Sequence, residues 1–548
     1  MSIINYNKKD DERDRSIFSL KIWAILLSLG AFAVLLYNAF TLNFWTDEAN
    51  GYFLSKQPLD TLITLMFHNV HEDPPLFDII LHYWIIIAGS QVWMLRLLSI
   101  LFWIGNGIGM FYAAKQLAGE KAAWASMLFL AIMPYHWLAP ASLRWYSFFT
   151  CLAAWNFFLF LRLSNLPGNS TKDSHLSGKL WIRDMVPYVA TAVAMWYTNY
   201  IALVFFFTQF IIIVLWAKSR LKLLKIMVLS WFFTLIFYLP WLLVFFRQFG
   251  ESVGVYSFPK TILSFYVLIA GELSLPLNYW ISIPSGVFGI LTIYLCITQI
   301  KKIKIPFVVV LIILLSMMIS GTSHVMRMLI VTPFIAVCYG IIFANIFCDK
   351  ISSSLLRTAL LAVLAGLMVI AGSFFNMAKR DGWLAYRWLD PYEKVVKSIK
   401  CNHPQGVILT KSPSSFFYLG DSMGILRFNN TKLFPLLPPQ KLEGSDARAF
   451  FFLLDPQHPA NRVLEDELSK GREVIVIHSG TEYPFSFLRP QLEEYLGKSH
   501  YKLKGVEYYL EMPPYFVTYH HNTASHYGER KLVYPEDFQR IVVMYFHK

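Results

Sequence analysis

A bundle of about 11 membrane-spanning helices followed by a water-soluble α/β domain is the fold the sequence predicts, and three observations predict it. Of 548 residues, 56% are hydrophobic and only 15% are charged, a balance far from that of an average soluble domain. Apolar runs of about 20 residues, the length that crosses a bilayer core, recur from Ile17 to Phe375. They then stop, and residues 377–548 are mixed and polar over about the length of one ordinary domain. The expected division is therefore a membrane body over 1–376, with a first external loop over 41–90, and an extracytoplasmic α/β domain over 377–548.

The first apolar run, from Ile22 to Leu36, follows Lys8, Lys9, Arg13, Arg15 and Lys21. No small-residue cleavage site follows it, so it reads as a retained helix over 17–40 rather than a signal peptide. Span length and flanking charge place the others at 92–114, 121–139, 146–163, 185–200, 202–217, 226–246, 281–300, 306–321, 326–347 and 354–375. With the N-terminus in the cytoplasm, the internal loops gather Lys115 and Lys121, then Arg162 through Arg183, Lys218 through Lys225, Lys301 through Lys304, and Lys350 with Arg357. The external side before the tail holds only Lys56, Arg96, Arg144, Arg247, Lys260 and Arg327. That asymmetry fixes the orientation, because basic loops are retained in the cytoplasm. It also accounts for the net charge of +13 without nucleic acid, since the basic residues punctuate apolar runs instead of covering one soluble face.

Leu76 to Ala88 is short for a span and carries His82, and Thr261 to Leu275 carries Glu272 before Pro276. Both are expected to lie in the external interface or to re-enter it. In the tail, 406–410, 449–454 and 473–478 read as short buried strands, with helices over 390–400 and 461–470. Of five cysteines, four fall in or beside apolar runs and Cys401 stands alone in the tail, so no disulfide framework is expected.

The chemistry concentrates in 43–75, which is polar in a chain that otherwise avoids polarity and holds Asp47, Glu48, His68, His71, Glu72 and Asp73. Ionisable residues at a membrane boundary are functional candidates by default, and two carboxylate pairs in one loop can face each other across a cavity. Pro74 and Pro75 end any helix there and stiffen the approach to Leu76. His68, His71, Glu72 and Asp73 are ligand-type side chains, but there is no HExxH pattern and no cysteine set, so no metal site and no required cofactor is assigned.

The run Trp45-Thr46-Asp47-Glu48-Ala49, then His71-Glu72-Asp73-Pro74-Pro75-Leu76 with His82-Tyr83-Trp84, Arg96-Leu97-Leu98-Ser99, Pro134-Tyr135-His136 and Arg144-Trp145-Tyr146-Ser147 resembles the membrane glycosyltransferases of the GT-C fold. The nearest groups are protein mannosyltransferase and aminoarabinose transferase relatives, including RgtA-like lipopolysaccharide-modifying enzymes. The resemblance covers residues 15–375, and its motifs are short individually but specific in order and spacing. It implies transfer of a sugar from a polyprenyl-phosphate donor to a lipid, glycan or protein acceptor, outside the cytoplasm. Asp47 matches the family's first-loop catalytic carboxylate and Glu48 its neighbour, while the pair Glu72 and Asp73 matches the second polar cluster, which the resemblance implies lines the acceptor or donor side of the cavity, with His71 beside them among the substrate-binding candidates.

An inverting transfer needs one carboxylate to take a proton from the acceptor hydroxyl as C1 is attacked, a task assigned to Asp47. The departing phosphate needs cations, and Arg144 and Arg327 are external arginines whose planar fork suits it. Each has a bland alternative: Arg144 neutralising Asp47 or Glu72, and Arg327 snorkelling to the interface. Tyr146 joins the substrate-binding candidates, although it and Trp145 also read as ordinary packing aromatics. One departure is Ser142, where many relatives carry an acid two positions before the loop arginine, which throws more of the chemistry onto Asp47 and the Glu72-Asp73 cluster.

The competing class is a polytopic transporter or lipid-linked-sugar flippase, which places ionisable or broken-helix sites near the midplane. Here the midspans are nearly uncharged and the acids gather at one face, which favours the enzyme. The expected location is a bacterial inner membrane with the active face in the periplasm, the endoplasmic reticulum being the alternative.

Overall fold

The computed structural model describes residues 2–44, 46–67, 73–164, 178–216, 220–251, 294–319, 327–348, 392–403, 405–410, 440–441, 448–451, 465, 468–479, 492–511 and 539–548. They form two compact units, one built from residues 1–40 and 59–376, the other from 41–58 and 377–548.

The first unit is helical. Its elements are α1 (Ser2–Thr41), α3 (Leu59–Phe67), α4 (Leu76–Ala88), α5 (Val92–Ala118), α6 (Glu120–Ile132), the short α7 (Leu138–Ala141), α8 (Tyr146–Ser164), α9 (Gly178–Trp196), α10 (Ala202–Trp216), α11 (Arg220–Glu251), α12 (Ile300–Ile319) and α13 (Thr332–Phe343), while α2 (Thr46–Ser55) belongs to the second unit. Among the described residues, six helical stretches are long and apolar enough to cross a membrane. In α1 the residues Leu20, Ala24, Leu27, Ala31 and Leu35 are buried at helical spacing, while Phe18, Ile22, Leu26 and Leu29 on the remaining surface are exposed and equally apolar. A helix apolar all round is suited to lipid on its outer side.

Where helices meet, small residues allow close approach: Gly109 lies against Ala154 of α8, and Gly340 of α13 against Ser126 of α6. Close contact of this kind is how helices associate when lipid is as apolar as their side chains. Polar groups inside the bundle are satisfied in a chain: Tyr188 Oη donates to Gln209 Oε1 (2.6 Å), Gln209 Nε2 to Asn156 Oδ1 (2.8 Å), and Asn156 Nδ2 to the Tyr188 carbonyl (3.1 Å).

The expected helix over 121–139 is corrected. α6 ends at Ile132, Met133 is extended with φ −79° and ψ 104°, and a 3-10 turn over Pro134–Trp137 leads into α7. Pro134 disfavours helical geometry at the residue before it. The expected span at 354–375, most of that at 281–300 and the segment Thr261 to Leu275 lie outside the described residues.

The second unit contains α2, α14 (Tyr392–Asn402) and six strands: β1 (Val407–Thr410), β2 (Gln440–Lys441), β3 (Arg448–Phe451), β4 (Val474–Ser479), β5 (Lys502–Glu511) and β6 (Gln539–His547). The sheet order is β2-β3-β1-β4-β6-β5, with β3, β1 and β4 parallel and the remaining pairs antiparallel. Alternate residues point to opposite faces. One face carries Val407, Leu409, Val474, Val476, Val542 and Met544 into a core with Leu492 and Leu496, and Ile408, Ile475 and Ile477 on the other face are buried as well. Glu473 ties two chain segments together, meeting His403 Nδ1 and His547 Nε2 at 2.7 Å each.

Candidate functional site

In the helical unit, polar side chains converge on Asp73. Pro74 and Pro75 stop the chain before α4, and the Leu76 amide donates to the Tyr197 carbonyl (2.9 Å), which docks the start of α4 on the turn between α9 and α10. Ser99 Oγ of α5 donates to the Ser142 carbonyl (3.0 Å) and holds the strand-like approach to α8, whose first turn begins where the Phe149 amide meets the Trp145 carbonyl (2.8 Å). These local fixings set three donors around one carboxylate. Arg144 Nη2 (3.3 Å) and Trp145 Nε1 (2.8 Å) reach Asp73 Oδ2, and Asn199 Nδ2 (3.0 Å) reaches Oδ1.

The Asn199 side chain is itself oriented, since its Oδ1 accepts from the Ile201 amide (3.1 Å). This turn-forming contact is typical of asparagine, and it leaves the amide nitrogen facing Asp73. The Arg144 and Asp73 side chains are each 16% exposed, so the pair is partly screened and its worth lies in fixed geometry as much as in Coulomb energy. At least three donors meet this carboxylate, an arrangement that holds Arg144 in place.

Beside this cluster, Tyr197, Tyr200, Tyr238 and Trp241 form an aromatic wall, with ring centroids of Tyr197 and Tyr238 at 5.1 Å and of Tyr197 and Trp241 at 6.3 Å. Below the wall, Val193 on α9 and Phe237 on α11, one turn from Tyr197 and Trp241, line an apolar groove of about 630 Å³ with Met185, Val186, Val189 and Phe233.

The other sequence candidates fall as follows. Asp47 and Glu48 lie in the first turn of α2, at the positive end of its dipole. Glu48 is fully buried and Asp47 half-buried. Tyr146 is 7% exposed and packs on Trp145 with ring centroids 4.4 Å apart. Arg327 is half-buried at the start of a 3-10 turn that leads into α13. His71 and Glu72 lie outside the described residues. Sequence reasoning treated Trp145 as packing, whereas its indole N–H donates to Asp73 at 2.8 Å. It missed Asn199 entirely; the available signal was the polar run Thr198-Asn199 between two apolar helices. Among the described residues, no group of three or more His, Cys, Asp or Glu is arranged to hold a metal.

The fold is of the GT-C type that its motifs resemble, and likeness to solved structures shows it. Two structures of ArnT from Cupriavidus metallidurans share it. The form bound to undecaprenyl phosphate aligns with a TM-score of 0.58 over 95% of this chain and 98% of that chain, and the apo form with 0.55 over 95% and 97%, each at 13% identity. The oligosaccharyltransferase of Archaeoglobus fulgidus aligns over 73% of this chain and 63% of its own at 12% identity, with a TM-score of 0.42, too distant to add to the assignment of the fold. No protein-family model matches the sequence, and no curated protein matches it.

Proposed function

We propose that the protein is an integral membrane glycosyltransferase that moves a sugar from a polyprenyl-phosphate donor to a lipid, glycan or protein acceptor on the extracytoplasmic face. The observation that carries this reading is the Arg144 guanidinium held on Asp73, a carboxylate that Trp145 and Asn199 also fix, in a helical unit that also has an apolar groove between α9 and α11. A fixed guanidinium and a groove lined by hydrocarbon are the two elements that a phosphate on a long apolar tail requires. That ArnT was crystallised with undecaprenyl phosphate supports the same class of ligand here.

In this reading Arg144 receives the charge that accumulates on the departing phosphate. Asp47 takes the proton from the acceptor hydroxyl as the bond from oxygen to C1 forms and the bond from C1 to the phosphate oxygen breaks, with inversion at C1. Glu48, buried and next to it in the first turn of α2, orients Asp47 or the acceptor. His71, Glu72, Tyr146 and Arg327 are assigned to the substrate-binding surroundings. The membrane is a bacterial inner membrane, with the second unit in the periplasm.

The test is turnover of a panel of radiolabelled polyprenyl-phosphate sugars by the purified protein in native lipid, comparing wild type with Asp47→Asn. Transfer that falls about a hundredfold or more in the variant, the loss expected for a general base, supports the assignment. No donor consumed by wild type, or equal turnover by the variant, removes it and moves the transporter reading ahead.

A further inference from the structure

The start of α12 gathers cations that no acid of the described residues neutralises. Lys301, Lys302 and Lys304 follow one another there, and α12 carries no acidic residue from Ile300 to Ile319. Like charges this close on a helix repel one another. The contacts they make are with neutral groups. Lys302 Nζ donates to Asn345 Oδ1 (2.9 Å), just beyond α13, and Lys304 Nζ stands 5.2 Å from the centre of the Trp216 ring at the end of α10. Among the described residues none of the three forms an ion pair, whereas at the end of α8 Arg162 meets Asp184 of α9 at 3.0 Å.

Position around the helix separates their roles. Residues two apart point to nearly opposite sides, so Lys302 turns to α13 and Lys304 to α10, while Lys301, three positions before Lys304, lies beside it. Lys301, Lys304, Val308, Leu311 and Leu315 recur at intervals of three and four, which places them on one stripe. Lys301 is exposed, and Leu311 and Leu315 are 42% and 45% exposed. On α10, Val214 and Leu215 beside Trp216 are exposed as well. Two ammonium groups at the head of an outward-facing hydrocarbon stripe complement an anion that carries an apolar chain. Cytoplasmic retention asks only for positive charge, which Lys115 and Lys225 supply as exposed side chains with no partner among the described residues. It does not ask that cations stand on a stripe facing lipid.

We infer that the seam of α10 and α12 at this basic end binds one anionic phospholipid. Its phosphate takes the ammonium groups of Lys301 and Lys304, and an acyl chain runs along Val308, Leu311 and Leu315. Trp216 holds Lys304 through its ring face, a contact that fixes the cation without cancelling its charge. A zwitterionic lipid brings its own cation and leaves the lysines unrelieved, and a free phosphate gains nothing from the stripe. The site uses no residue of the Asp73 cluster and stands whether or not the chain transfers sugar.

The experiment is native mass spectrometry of the full-length, delipidated protein in detergent, titrated with dioleoyl phosphatidylglycerol or dioleoyl phosphatidylcholine. Wild type is expected to take up one phosphatidylglycerol about tenfold more tightly than phosphatidylcholine, the preference that two lysines near a lipid headgroup supply. The double variant Lys301→Gln/Lys304→Gln is expected to bind the two lipids within about twofold of each other. Lys115→Gln/Lys225→Gln removes the same charge elsewhere and is expected to keep the wild-type preference. Trp216→Phe retains a ring face and should keep the preference, whereas Trp216→Leu should lower it by about threefold. Equal binding of the two lipids by wild type overturns the proposal, and so does an equal loss in the two lysine double variants, which would mean diffuse attraction only. Displacement of bound phosphatidylglycerol by inorganic phosphate, but not by chloride at the same ionic strength, would make the site one for a free anion and also overturns it.

Discussion

Replacing Asn199 by aspartate would exchange a hydrogen-bond donor for a second carboxylate 3.0 Å from Asp73 Oδ1. The lost charge-assisted hydrogen bond is worth about 1.5–3 kcal/mol. Two carboxylates centred about 4 Å apart, at an effective dielectric constant of about 20, repel by about 4 kcal/mol. The pair escapes part of this by binding one shared proton. Starting from an ordinary value of about 3.9, holding that proton costs about 4 kcal/mol at pH 7 and about 1.5 at pH 5. Asp73 is 16% exposed, so solvent screens some of the repulsion, and about 2 kcal/mol of pH-dependent destabilisation between pH 5 and 7 is expected. The sign follows from linkage: the shared carboxyl binds its proton more tightly folded than unfolded, so stability is retained at low pH and lost as pH rises. Thermal unfolding in nanodiscs at pH 5, 6, 7 and 8 measures this directly for wild type, Asn199→Asp and Asn199→Ala. Asn199→Ala loses the hydrogen bond to Asp73 and the one from the Ile201 amide but adds no charge, and its deficit should not vary with pH. If the midpoint of Asn199→Asp runs parallel to that of Asn199→Ala across this range, Asn199 does not face Asp73 and the cluster is wrongly drawn.

Three further substitutions test neighbouring parts of the argument. Trp145→Phe keeps the ring that packs on Tyr146 and deletes only the 2.8 Å donor to Asp73, so unfolding should cost about 1–3 kcal/mol less than in wild type, read from the same thermal assay. Arg144→Lys keeps the charge but not the planar fork, and donor turnover should fall by at least about tenfold with little change in thermal midpoint, because a lysine does not reproduce guanidinium geometry. Gly340→Ala drives a methyl group into Ser126 of α6, whose amide nitrogen would lie 2.5 Å from the new carbon. Backbone has to shift, and a loss of at least about 1–3 kcal/mol is expected in thermal unfolding, against no effect if α6 and α13 are not in contact.

Which parts of this molecule were legible in the sequence follows from the range of the interactions that fix them. The bounds of α4, Leu76 to Ala88, were readable to the residue because its punctuation is local: Pro74 and Pro75 precede it, and Gly89, at φ +81°, ends it in a conformation that glycine adopts without strain. The apolar spans were readable for a similar reason, since lipid demands a length and a composition wherever the chain crosses it. The short strands β1, β3 and β4 announced themselves as buried apolar runs, but β5 did not, because Lys502, Lys504 and Glu507 interrupt it and its partner β6 lies beyond a long intervening segment. At the candidate site the residue types were legible and their pairing was not. Arginine and carboxylates at a membrane boundary invite pairing, yet Arg144 stands 71 positions from Asp73 and Asn199 stands 126, separations at which no periodicity or spacing constrains contact. A sequence shows every donor and acceptor that a chain possesses, but only packing shows which of them meet, and the Asp73 cluster is made by three elements that the chain order keeps far apart.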